Sequence, residues 1–176
     1  MKTLLTTLLV IVFIIVGCDK KATDSDDNGA NKTEHVSINI KTATEYFNFA
    51  SNSGSTNQSS AHDIVFYSVS WQPPGSPATI KDPRFKCKEG LSVAVINEAE
   101  LDNVTSVPST SNFVADFVSE FGEWYDEDDV THIITPQDKV YVVNTIDGKF
   151  PAFKIDSYYD ERGVSGVFTI DWKYLN

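Results

Sequence analysis

The chain has 176 residues, is 41% hydrophobic and 12% aromatic, and carries a formal net charge of −11. That is enough apolar material for the core of one domain with a short extension. The acidic balance, with no basic stripe to offset it, argues against nucleic-acid binding and against attraction to an anionic lipid surface.

Lys2 precedes an apolar run from Leu4 to Val16, and the next charge is Asp19. A basic start, a short apolar core and small residues at the end define a secretory signal peptide. The run is too short for a spanning helix, which needs ~20 apolar residues. Ile15-Val16-Gly17-Cys18 resembles the lipobox of bacterial lipoproteins. The expected division is therefore a signal peptide over 1–17, lipidation at Cys18, a flexible polar tether over 18–35 and one β domain over 36–176. Several acyl chains on Cys18 would anchor the protein far better than one, since each buried CH₂ contributes about 0.8 kcal/mol. Asp24 to Gly29 matches the first half of a calcium loop, but position twelve of that loop falls on His35 rather than on the bidentate Glu it requires. The segment reads as a solvated acidic linker.

Val36, Ile38 and Ile40 alternate at strand period, and Tyr46 to Phe49 reads as a second strand. Ser51 to Ser60 is a loop rich in Ser, Asn and Gly. Val65, Tyr67, Val69 and Trp71 alternate on one face, with Ile64 and Phe66 on the other, which predicts a central strand. Gln72 to Pro77 forms a Pro-rich bend, and Leu91, Val93 and Val95 make a further strand. Phe113, Phe117, Phe121 and Trp124 fall at helical spacing behind the possible caps Ser109 to Asn112, predicting a short helix near 112–124. Asp126 to Asp129 reads as a solvated acidic loop. From Lys139 onward, three alternating strands separated by Asp147-Gly148 and Asp160-Glu161-Arg162-Gly163 predict an antiparallel meander. The expected class is all-β, mainly antiparallel, with that one helix.

No Gly-rich phosphate loop, His-Glu-x-x-His or Cys-x-x-Cys is present, and Gly163 to Gly166 fails the nucleophile-elbow pattern. The reading is of a non-enzyme. With Cys18 lipidated, Cys87 has no partner for a disulfide and reads as a small buried hydrophobe. The only Met is Met1, so candidate haem or metal ligands reduce to His35, His62, His132, Cys87 and seven Tyr.

Pro136 to Val143, Asp147-Gly148-Lys149, Phe153-Lys154-Ile155 and Ser157-Tyr158-Tyr159 resemble the C-terminal signature of the HmuY-like haem-binding lipoproteins. Trp124-Tyr125 and Gly166-Val167-Phe168-Thr169 fit its two ends. Upstream, Tyr46 to Phe49 resembles the family's early aromatic strand. Asp63 to Phe66 resembles its Trp-Asp-Ile-Ala-Phe, with His62 in the Trp place, and Val107-Pro108 with Asp116 fits a further motif. The resemblance implies an all-β, hand-shaped domain anchored in the bacterial envelope, on the outer membrane. It would hold haem between loop-borne His or Met ligands and pass it to an outer-membrane receptor. His132 falls in the loop that carries one family ligand. Phe113 to Tyr125, near the other, holds neither His nor Met, so the second axial ligand would come from His62 or a Tyr. No cofactor other than haem is indicated. The alternative is a non-catalytic envelope lipoprotein of the same fold that binds no haem and serves as a binding or structural partner.

Overall fold

Ile38, Phe47, Phe66, Phe85, Phe153 and Phe168 all point into one buried aromatic layer, and the strands that carry them form the two faces around it. The computed structural model describes residues 32–97 and 99–176. The segment read as a signal peptide, Cys18 and the stretch Asp24 to Gly29 read as an acidic linker lie outside the described residues.

Among the described residues, twelve strands follow in order: β1 Glu34–Asn39, β2 Glu45–Asn48, β3 Ser53–Ser55, β4 Ile64–Trp71, β5 Ile80–Cys87, β6 Ser92–Asn97, β7 Phe113–Ala115, β8 Tyr125–Glu127, β9 Ile134–Pro136, β10 Lys139–Asn144, β11 Phe150–Tyr159 and β12 Ser165–Leu175. Six form one sheet in the order β1-β12-β11-β10-β6-β7, and four form a second in the order β3-β2-β4-β5. β8 and β9 make a separate two-stranded ribbon. All described pairings are antiparallel. The expected all-β class and the C-terminal meander β10-β11-β12 are both present. β1 begins at Glu34, two residues inside the segment read as tether.

The two sheets pack face to face, and alternation sends every second side chain between them. Phe153 is fully buried at the centre, stacked on Tyr141 at 5.2 Å and meeting Phe85, Phe49 and Phe66. On the outer face of the large sheet, Ala94, Val140, Val142, Ala152 and Leu175 are covered by Leu101 and Val104. That second layer explains why β10 is buried on both faces. Cys87 lies in the main core with its thiol toward the Leu91 carbonyl, and burial pushes its pKa up, consistent with the small-hydrophobe reading.

The helix expected near 112–124 does not form. Thr110–Asn112 is a single 3-10 turn, Phe113–Ala115 is strand β7, and Asp116 takes a left-handed backbone with φ of 51°. The four aromatics serve different environments, which one helix face cannot do. Phe113 packs on the second layer against Phe150, Phe117 on the main core against Phe85, and Trp124 is fully buried, while Phe121 stays 58% exposed. The segment's backbone groups bond to both sheets instead of to one another. β7 pairs with β6, the Phe117 carbonyl accepts the Cys87 N–H at 3.0 Å, and Ser119 N–H donates to the Phe85 carbonyl at 2.9 Å. β5 was not expected from the sequence, because Asp82 and Pro83 interrupt its apolar pattern. It is an edge strand, where a proline is tolerated.

Because Phe153 touches rings from both sheets, Phe153→Ala is expected to lower the unfolding free energy by about 3–5 kcal/mol. Urea denaturation of the two proteins checks this.

Candidate ligand cleft

The free end of the β4–β5 hairpin, the segment before β8 and the β8–β9 ribbon enclose a cleft of about 420 Å³. Its walls include Ile80, Phe121, Tyr125, Ile134, Tyr158 and Tyr159, with His132 and Lys81 also lining it. A second hollow of about 320 Å³ shares Ile80, Asp82 and Phe121 with it and adds Val69, Trp71 and Arg84. Trp71, Ile80 and Phe121, which line that hollow together, are large apolar side chains left more than 40% exposed. Such a cluster on a protein surface marks a binding site more often than an accident of packing.

The cleft is braced from below by Asp82. Its carboxylate is buried, accepts the Tyr125 hydroxyl at 2.9 Å, and accepts Arg84 Nε at 2.5 Å. Arg84 continues to Glu120 at 3.1 Å. The Trp124 indole N–H donates to the Pro83 carbonyl at 2.9 Å. Three consecutive residues of β5 thus tie the 120–125 segment in place, and Phe121 meets Tyr125 edge to face at 5.9 Å. Burial, then the hydrogen bond to Asp82, pushes the Tyr125 phenol well above the ordinary tyrosine range.

His132 sits on the turn between β8 and β9 with φ of 55°. The acidic run read as a solvated loop is in fact the organiser of this turn. Asp128 accepts the N–H groups of Val130 and Thr131 and the Thr131 hydroxyl, and these bonds hold its carboxyl below the usual range. The His132 N–H returns to the Asp128 carbonyl at 2.9 Å. On the side chain, Nδ1 lies 2.8 Å from Glu127 Oε1. A carboxylate only accepts, so Nδ1 donates, and the Nε2 lone pair is left available on a mostly exposed ring. A carboxylate that orients a histidine in this way is the usual support of a metal-binding imidazole.

His62 is elsewhere. Its Nδ1 lies 2.8 Å from the Ser60 carbonyl, and its ring meets Tyr46 edge to face at 5.0 Å. It precedes the end of β4 where Ile64 pairs with Cys87, whereas the cleft lies at the other end, where Trp71 pairs with Ile80. At ~3.3 Å per residue the strand separates them by roughly 20 Å. The structure therefore does not bring His62 and His132 together. Of the residues lining the cleft, Tyr159 accepts with its hydroxyl the N–H of Ile134, two residues after His132, at 2.8 Å. Sequence reasoning passed over Trp71, Ile80, Phe121 and Asp82. The available signal was apolar residues at element ends beside turn sequences, which is weak without the fold.

The molecule is thus an antiparallel β domain of two packed sheets with an aromatic-walled side cleft and a histidine at its edge. The chain belongs to the HmuY family: the family model for HmuY protein matches residues 31–172. The fold is shared with apo PinO from Porphyromonas gingivitis, at TM-score 0.56 and 12% identity, over 82% of this chain and 98% of that one. It is shared with a candidate lipoprotein from Bacteroides fragilis, at TM-score 0.59 and 19% identity, over 86% and 92%. A candidate HmuY-like haem-binding protein from Bacteroides vulgatus aligns at TM-score 0.50 and 15% identity, over 82% and 92%. No curated protein matches the chain significantly.

The raised Tyr125 pKa has a stability consequence with a definite sign. In the unfolded chain the phenol ionises near pH ~10, and in the folded chain only above that. Its contribution is complete below pH ~10 and is lost as pH rises from there through the folded value. The denaturation midpoint is expected to fall as pH rises above ~10, and Tyr125→Phe should lessen that fall. Urea titrations across this range, read beside tyrosinate absorbance, check it.

Proposed function

We propose that this protein is a lipid-anchored, non-catalytic haem-binding protein of the bacterial cell envelope, held on the outer membrane through Cys18, which takes haem into the cleft for delivery to an outer-membrane receptor. The observation that carries this reading is His132, with Nδ1 engaged by Glu127 and Nε2 available, at the edge of an aromatic cleft.

The residues fit the group. Ligand sites of about 300–1,000 Å³ with apolar walls and few polar groups accommodate flat cofactors, and both hollows fall in that range. Phe121, Tyr158 and Ile80 supply apolar faces for a porphyrin. His132 would be the axial ligand through Nε2, and Tyr159 is the hydroxyl on the same cleft that could oppose it. Tyrosine is a known iron ligand in haem proteins. Lys81, exposed at the mouth, supplies positive charge for the haem carboxylates in an otherwise acidic protein. When bound, the iron supplies the coordination bond, and the protein supplies orientation and exclusion of water. His62 lies outside this set. The relatives' names, as haem-binding protein and as lipoprotein, point the same way.

Titration of the purified protein with hemin is expected to give saturable one-to-one binding with a sharpened Soret band. His132→Ala should weaken it at least tenfold, equivalent to about 1.4 kcal/mol, and His62→Ala should leave it unchanged. Absence of a sharpened band, or loss in His62→Ala with retention in His132→Ala, would overturn the assignment. In the first case the reading that remains is an envelope lipoprotein of this fold acting as a binding or structural partner.

The anchor has its own test. Cys18→Ser, expressed in a bacterial host fed a labelled fatty acid, is expected to lose incorporation of the label and to leave the membrane fraction.

A further inference from the structure

On the outer face of the large sheet, three adjacent strands bring a histidine and two carboxylates together. His35 on β1 stands directly opposite Asp171 on β12, and their Nδ1 and Oδ1 atoms are 2.6 Å apart. Asp156 comes from β11. The pairing of β11 with β12 runs from Ile155–Ile170 to Ser157–Thr169, so Asp156 is an extra residue in a β-bulge. Bulges re-aim a side chain that regular pairing would place elsewhere. Here one donor atom from each of His35, Asp156 and Asp171 falls within 4.8 Å of the other two. A shared divalent ion bound at ~2.0–2.2 Å holds its ligands about 3–4 Å apart, so small rotamer changes close the set.

Among the described residues, His35 is the one ion-pair partner of the two carboxylates. In register, the cross-strand partner of Asp171 on β11 is Lys154. Its ammonium turns away to Glu100 at 2.7 Å and Asp138 at 3.1 Å. No Lys or Arg among the described residues forms an ion pair with Asp156 or Asp171, although like charges held side by side on neighbouring strands repel. A polar cavity of about 210 Å³ opens beside them, lined by Asp156, Asp171, Glu100, Asp102 and Lys154. It provides room for the waters that complete a coordination shell. One imidazole and two carboxylates suit a borderline divalent ion such as zinc.

We propose that His35, Asp156 and Asp171 form a divalent transition-metal site that clips β1 to β11 and β12. Among the described residues, β1 is an edge strand whose one partner is β12. It is also the first strand of the domain, where load from a membrane tether would arrive. The bound ion joins three strands at that point, independently of the cleft and of its ligand.

The test uses the full chain, purified in detergent and stripped with a chelator, with ZnCl₂ as the probe. Calorimetry is expected to show one saturable equivalent, and nitrogen NMR a shift of the His35 imidazole over the same titration. The thermal midpoint should rise by about 5 °C or more at a hundredfold excess over the dissociation constant. The double substitution Asp156→Asn with Asp171→Asn should weaken binding at least tenfold, whereas Asp129→Asn on the β8–β9 turn should not. An unmoved His35 signal at saturating ZnCl₂, or wild-type affinity in the double variant, would reduce the cluster to a His–Asp ion pair and overturn the site. The His35 signal is read in the unsubstituted protein, so it decides the question even if the double variant fails to fold.

Discussion

Asp82, Pro83 and Arg84 hold the molecule in its working arrangement. Tyr125 and Trp124 bond to the first two, and Glu120 to the third. These contacts fasten the 117–125 segment onto the edge of the small sheet after β7 has left the edge of the large one. The two sheets are thereby joined by main-chain and buried polar contacts as well as by their aromatic interface. A buried carboxylate is tolerated only when it is fully paired. Asp82 meets that condition with one hydroxyl and one guanidinium, so the geometry around it admits little alternative. Phe121 and the wall of the cleft stand where they do because their neighbours on either side are tied down.

The cleft and the metal-ligand cluster sit on different parts of the scaffold and have different physical characters. The cleft is mainly apolar, lined by the exposed Phe121 and by the core rings Tyr125 and Tyr158, with a single imidazole hydrogen-bonded to Glu127. The His35 cluster is polar, lies on an outer sheet face, and depends on a bulge that brings a second carboxylate beside the first. In both, a carboxylate takes Nδ1 of a histidine. In the cleft the ring so held stands at the edge of an apolar space. At the sheet face the same contact leaves an acidic pair facing water.

Much of the fold was legible in the sequence where a single rule operates. The meander could be read because β10, β11 and β12 alternate at period two and are separated by Asp-Gly and Asp-Glu-Arg-Gly turns. β4 was legible because apolar residues on both faces mean burial on both faces. β5 was not, because Asp82 and Pro83 break its alternation and Tyr125, whose hydroxyl bonds the buried Asp82, is remote in the chain. The stripe from Phe113 to Trp124 has helical spacing, yet each ring answers to a different neighbour, and tertiary packing overrode the period. His132 was identified through its place between Trp124 and Pro136. Its support by Glu127 and the role of Asp128 emerged only from the turn geometry. His62 was a reasonable second candidate on composition, since histidines are few, but linear scarcity does not bring residues together.

The sequence by itself determined that the chain is an acidic, mainly antiparallel β protein whose cysteine at position 87 is buried like a small hydrophobe. Those properties follow from periodicity, turn residues and counts, which are local. Only the tertiary structure decided which histidine faces a cavity, which carboxylates crowd together and which aromatics remain on the surface. Those properties depend on contacts between residues far apart in the chain, and an alternating strand pattern is silent about which strand will lie beside it.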